Sequence, residues 1–81
     1  SINDLILMPN PCHDYVKLVS SKLLSEEISV MVYNMAGDQL SANHTKVDHG
    51  VELNVSSFAP GLYFLVIDGK HGRVFKKLII Y

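Results

Sequence analysis

Three consecutive residues near the start of the chain, Cys12, His13 and Asp14, carry groups from which nucleophiles and general bases are built. His13 and Asp14 would make a base and its orienting carboxylate. Neighbours on a strand point to opposite faces, however, so we expect the pair not to cooperate. Cys12 lacks the electropositive surroundings that produce a reactive thiolate, and we expect a neutral, partly buried thiol. No Gly-x-Ser-x-Gly motif occurs, and we predict no catalytic residue.

A second group, His44, Asp48 and His49, is the densest set of potential metal ligands in the sequence. Its spacing matches neither the zinc nor the calcium patterns, so we interpret these residues as polar side chains of a surface loop and predict no metal site. Residues 68–72, Asp-Gly-Lys-His-Gly, resemble a phosphate loop only in their glycines. No helix follows them to bind an anion, and a hairpin turn explains them. We expect no cofactor.

Composition limits the partners as well. Seven Lys and Arg against eight Asp and Glu leave a formal net charge of −1, so the basic surface of a nucleic-acid-binding protein is not expected. Hydrophobic residues make up 48% of the chain and charged residues 19%, which is typical of a globular chain rather than a disordered one. The 81 residues are enough for one small domain.

Short blocks of alternating apolar and polar residues predict the elements that position these side chains, whereas helical periodicity is nowhere sustained over ten residues. The alternation predicts strands at residues 15–19, 28–33, 38–43, 51–55, 62–67 and 73–81. The block at 62–67 is apolar on both faces, which is typical of a central strand. Turns are expected at 34–37 and 68–72, where Asn and Gly tolerate positive φ. Residues 20–27 fit either a helical turn or a charged connection.

These elements predict an all-β fold, an immunoglobulin-like antiparallel β-sandwich of about seven short strands, with a small barrel as the alternative. Pro60 fixes its own φ and Gly61 can take a positive φ. This turn therefore sets the register of the apolar strand that follows. A slip of one residue would exchange the two faces of that strand.

Three blocks of the sequence together resemble the C-terminal sorting domain, type A, of type IX secretion cargo in Bacteroidota. The blocks are LMPNPCHDYVKL at residues 7–18, ISVMVYNMAGDQL at 28–40 and ELNVSSFAPGLYFLVIDGKHGRVFKKLIIY at 52–81. The order and spacing of the blocks carry the resemblance, since none of the motifs is specific alone.

The resemblance implies that residues 1–81 form a single C-terminal sorting domain, with a core at 6–81, at the end of a larger secreted protein. Its partners would be the type IX translocon and shuttle components, followed by a sortase-like surface protease. The cargo would cross the periplasm, reach the cell surface or the medium, and lose the domain. The domain itself would not be an enzyme. The alternative function is an immunoglobulin-like module that binds carbohydrate or protein, and pairing of edge strands would allow a homodimer.

The resemblance also assigns the sorting motifs by position. The assigned residues are Pro9, Asn10, Pro11, Gly37, Gly61, Leu62, Tyr63, Lys76 and Lys77. Taken alone, Lys76 and Lys77 would be charges that protect a terminal edge strand from aggregation. The resemblance makes them contact residues, and we expect both to be exposed.

Overall fold

The computed structural model describes residues 5–20, 28–48, 50–69 and 72–81. Within these residues the chain forms eight strands and no helix. The strands are β1 (Ile6–Met8), β2 (Tyr15–Val19), β3 (Ile28–Tyr33), β4 (Gln39–Leu40), β5 (Asn43–Val47), β6 (Gly50–Asn54), β7 (Gly61–Gly69) and β8 (Gly72–Ile80). The connection for which a helical turn was one alternative lies mostly outside the described residues.

The strands form two antiparallel sheets that pack together. The first sheet has the order β1-β2-β6-β5 and the second has the order β4-β3-β7-β8. With the strands lettered in chain order, this arrangement corresponds to the ABED and C′CFG sheets of immunoglobulin domains. The prediction of an immunoglobulin-like sandwich is confirmed, and the small barrel is not formed.

The core lies between the sheets and consists of the apolar positions that alternate along each strand. Its fully buried side chains include Val16 and Leu18 of β2, Leu53 of β6, and Leu65 of β7. Burial of each such side chain contributes about 1.5–3 kcal/mol. β7 lies between β3 and β8, which confirms the prediction of a central strand.

The turn after β3 is held by one asparagine side chain. Asn34 Oδ1 accepts hydrogen bonds from the amides of Ala36 (3.0 Å) and Asp38 (2.9 Å), and the Gly37 amide donates to the Asn34 carbonyl (3.0 Å). Gly37 has a φ of 87°, which residues with a Cβ rarely adopt. The predicted turn is therefore confirmed.

The segment after this turn differs from the expectation. The single strand predicted at 38–43 is divided between β4, which pairs with β3, and β5, which pairs with β6 in the other sheet. His44 lies on β5 rather than in a loop, and His49 lies outside the described residues. The first four residues of β5 are all exposed, so this edge strand has no apolar alternation for a sequence pattern to detect.

The hairpin expected at 68–72 is confirmed by the pairing of β7 with β8, in which Gly69 faces Gly72. Beside it, Arg73 forms a forked ion pair with Asp68: Nε donates to Oδ1 at 2.7 Å and one terminal nitrogen donates to Oδ2 at 2.9 Å. These hydrogen bonds lower the pKa of the Asp68 carboxyl.

Candidate functional site

The Pro-Asn-Pro segment connects the two sheets. It follows β1 of the first sheet and runs along the outer edge of β8 in the second. The Asn10 carboxamide occupies the place of a neighbouring strand, because its Nδ2 donates to the Lys77 carbonyl at 3.1 Å and its Oδ1 accepts from the Ile79 amide at 3.0 Å. The peptide bonds that precede Pro9 and Pro11 are cis. Asn10 thus satisfies main-chain groups of the last strand from 67 residues away.

Cys12 continues this contact with its own main chain. Its amide donates to the Ile79 carbonyl at 2.9 Å, and its carbonyl accepts from the Tyr81 amide at 3.0 Å. The thiol is fully buried, more deeply than expected, and burial raises its pKa. The neutral form of the thiol is therefore favoured, as expected for a structural cysteine.

His13 and Asp14 approach each other, contrary to the expectation that they point apart. His13 Nε2 lies 3.8 Å from Asp14 Oδ1, because the two residues occupy the bend before β2 rather than the strand itself. His13 Nδ1 lies 2.7 Å from the main-chain oxygen of Tyr81, and the two rings stack with their centroids 5.4 Å apart. Both side chains of the pair are more than half exposed. His13 therefore contacts the residue that follows β8 rather than a buried catalytic partner.

The Gly-Leu-Tyr motif opens β7. Gly61 has a φ of 156° and begins the strand, and the Tyr63 hydroxyl donates a hydrogen bond back to the Ala59 carbonyl at 2.6 Å. The Tyr63 ring stacks on Phe58, with centroids 5.4 Å apart. This geometry resembles the tyrosine corner of immunoglobulin-like sandwiches, in which a tyrosine at the start of strand F fixes the preceding turn.

These separate motifs meet at one end of the second sheet, which we call the motif end and define as residues 9–12, 34–37, 60–63 and 77–81. Strand register brings them together: Tyr33 pairs with Phe64, and Leu62 pairs with Ile79. A cavity of about 240 Å³ lies between the turn at 34–36 and residues 60–63. Four segments that are far apart in sequence therefore form one continuous surface.

Comparison with known protein families identifies the family of this chain. The model of a family described as the secretion system C-terminal sorting domain matches residues 7–81. This chain belongs to that family. The family consists of type IX secretion sorting signals rather than enzymes, and membership implies interaction with the type IX machinery and export to the cell surface or the medium. The comparison with individual curated proteins gave no match.

The adjacent lysines at the end of the sorting domain, Lys76 and Lys77, differ in their environments. Lys77 is exposed on the outer face of β8, whereas Lys76 is half-buried on the core-facing side, opposite the buried Leu65. The expectation that both are exposed is therefore wrong for Lys76. Adjacent residues of a strand necessarily point to opposite faces, and only one of the two can point outward here.

Sequence reasoning did not identify the apolar outer face of the second sheet as a surface. Several large apolar side chains are exposed on it: Phe75 is 69% exposed, Ile79 48% and Phe64 36%. Exposed apolar patches of this kind mark interaction sites on soluble domains. The signal was present in the sequence, since the outward set of β8 alternates Phe75 and Ile79 with charged residues.

The first sheet of the sorting domain carries a different feature, an open cleft of about 330 Å³. Met8, Pro9 and Tyr15 give it an apolar lining, and Lys17 and Glu52 add opposite charges. Its volume is at the lower limit for sites that bind small molecules. No cluster of three or more potential metal ligands occurs among the described residues, and none of their segments is a helix able to span a membrane.

Proposed function

We propose that this domain ends a larger exported protein and directs that cargo from the periplasm across the outer membrane. The translocon and shuttle components of the type IX system would bind the domain. A sortase-like protease would then remove it and leave the cargo on the cell surface. Membership of the sorting-domain family supports this sequence of events, and we infer that the domain acts by being bound rather than by catalysis.

We propose further that the motif end is the surface that the machinery binds. One observation carries this proposal: motif residues that are far apart in the sequence meet at one end of one sheet, and two of them, Asn10 and Lys77, are in contact across 67 positions. A surface assembled from four segments exists only in the folded domain, so the signal would be a shape rather than a linear peptide.

The motif residues would divide into two roles. Asn10 and Tyr63 hold the shape, because their polar groups bond to main-chain atoms of the domain itself. Met35 and Lys77 would contact the machinery, because both side chains are exposed and neither forms an ion pair or hydrogen bond with its side chain within the described part of the chain. Lys76 would contribute less to this contact.

The proposal is tested by fusing residues 1–81 to the end of a periplasm-directed fluorescent reporter in a bacterium that has the type IX machinery. We expect the reporter to appear on the surface in the parent strain and to stay in the periplasm of a translocon mutant. A reporter that stays in the periplasm of both strains, although the domain is folded, would refute a sorting role.

The contact surface is tested in the same fusion by Lys77→Ala and Met35→Ser. The matched control is Lys46→Ala, which removes an exposed lysine from β5 in the other sheet. We expect the first two variants to fold normally and to reduce export, whereas the control exports normally. Equal export by all three variants would exclude the motif end as the contact surface and leave the sorting role intact.

A further inference from the structure

The outer edge of β8 is divided into a closed half and an open half. Main-chain groups of alternate residues point to the same edge of a strand. The Lys77 carbonyl and both main-chain groups of Ile79 face away from β7 and are bonded by Asn10 and Cys12, whereas the Lys77 amide has no such partner among the described residues. Those of Arg73 and Phe75 face the same way, and the described residues supply no main-chain partner for them.

We propose that the open half, residues 73–77, is a strand-addition site for an extended acidic segment of another protein. Such a segment would pair antiparallel with β8 and exchange two hydrogen bonds with Phe75. At the closed half the same edge already accepts a neighbouring backbone, there in the parallel direction through Cys12. This inference goes beyond the role in export and does not depend on it.

The charges along the open half favour an acidic segment as the added strand. Lys76 and Lys77 lie on this edge without an ion pair to any described residue, whereas Arg73 is already neutralised by Asp68. Lys76 is half-buried on the core-facing side, so an apolar strand added here would cover a lysine without supplying a counter-charge. A segment with acidic residues opposite both lysines removes that penalty.

A second copy of the domain fits this edge less well. Antiparallel pairing of two β8 strands about Phe75 would set Lys77 opposite Arg73, and like charges directly opposite each other destabilise a strand pair. The exposed Phe75 ring favours an aromatic or β-branched neighbour on the added strand. The favoured pentapeptide therefore carries two acidic residues, then an aromatic residue, then β-branched residues opposite Val74 and Arg73.

The probe is the peptide acetyl-Glu-Glu-Tyr-Val-Thr-amide, titrated into the isotope-labelled 81-residue domain at low salt and followed by the amide NMR shifts. We expect shifts at Arg73, Phe75 and Lys77. The charge-reversed acetyl-Lys-Lys-Tyr-Val-Thr-amide should have an affinity that is lower by a factor of about ten or more. A Glu-Glu peptide with an N-methylated tyrosine, which lacks the central donor, should also lose affinity.

Variants of the domain complete the test. In the double variant Lys76→Glu and Lys77→Glu the peptide preference should reverse, whereas Lys46→Glu on β5 should leave it unchanged. Absence of shifts with millimolar peptide, equal binding of both peptides, or shifts confined to the other sheet would overturn the proposal. Shifts that depend on protein concentration without peptide would assign the edge to a second copy and would overturn it as well.

Discussion

Replacing Asn10 with alanine should weaken the attachment of β8 to the beginning of the chain. The change removes two hydrogen bonds to main-chain atoms, one to the Lys77 carbonyl and one from the Ile79 amide. A protein hydrogen bond contributes about 0.5–1.5 kcal/mol net. Because Asn10 is exposed, water replaces part of the loss, and we expect the free energy of unfolding to fall by about 1–2 kcal/mol.

Urea denaturation measures this loss, and thermal denaturation should show a decrease of about 5–15 °C in Tm for a domain of this size. The matched control is Asn43→Ala, which removes an exposed asparagine that forms no side-chain hydrogen bond to any residue in the described segments. Its free energy of unfolding should change by less than about 0.5 kcal/mol. The Asn10→Asp variant should be destabilised at neutral pH, since a carboxylate oxygen would then face the Lys77 carbonyl oxygen.

Hydrogen exchange locates the effect. In Asn10→Ala the Ile79 amide loses its acceptor and should exchange faster, whereas the Leu78 amide, which faces β7, should stay protected relative to global unfolding. If Asn10→Ala matches Asn43→Ala in stability and the Ile79 amide keeps its protection, the motif asparagine does not anchor β8, and its assignment as a shape-holding residue is wrong.

Three further substitutions test other parts of the structure. Tyr63→Phe keeps the stack on Phe58 and removes the bond to the Ala59 carbonyl, so chemical denaturation should show a loss of about 1 kcal/mol; an unchanged midpoint would contradict the corner. Hydrogen bonding to Arg73 lowers the pKa of Asp68 in the folded domain. The ion pair therefore stabilises the fold fully above the unfolded-state pKa of about 3.9, and this stabilisation is lost as the pH falls through the lower pKa of the folded state. In urea titrations wild type should thus be more stable than Asp68→Asn at pH 7, and the difference should shrink in acid; a difference that does not narrow as the pH falls below about 3.9 would contradict this. Gly50→Ala places a methyl group against the Leu18 main chain and should cost about 3 kcal/mol or more, and near-native stability would show that β2 and β6 can separate.

Strands that bury one face could be predicted from the sequence, because burial of that face makes apolar residues recur at every second position. β2 and β3 have the predicted bounds for this reason, and Val16 and Leu18 lie in the core as their alternation indicates. β5 could not be predicted, since His44 and its neighbours are exposed on both faces and show no alternation. A pattern of alternating apolar residues arises only where one face of a strand is buried. An edge strand such as β5 buries too few side chains to show it.

The assembly of the motif end could not be predicted from periodicity either. The bonds of Asn10 join residues 67 and 69 positions apart, and no local signal specifies such partners. The family resemblance assigned the motif residues but gave no information about the residues that they contact. The contrast between Lys76 and Lys77 was implicit in strand alternation, but it becomes useful only when the neighbours of β8 are known.

Asn10 also covers part of the β8 edge. Its replacement should therefore have a second effect besides the loss of stability from two hydrogen bonds. Without its carboxamide, the Lys77 carbonyl and the Ile79 amide lose their partners, and the open stretch of edge extends from Arg73 toward Ile79. An exposed edge of that length beside apolar side chains is a template for pairing with another chain. The Asn10→Ala variant should therefore self-associate at concentrations where wild type is monomeric, and sedimentation velocity would detect this. Adding Ile79→Lys places a charge on the lengthened edge and should suppress the association without restoring stability. If association follows only the fraction of unfolded protein, Asn10 acts through stability alone and does not protect the edge.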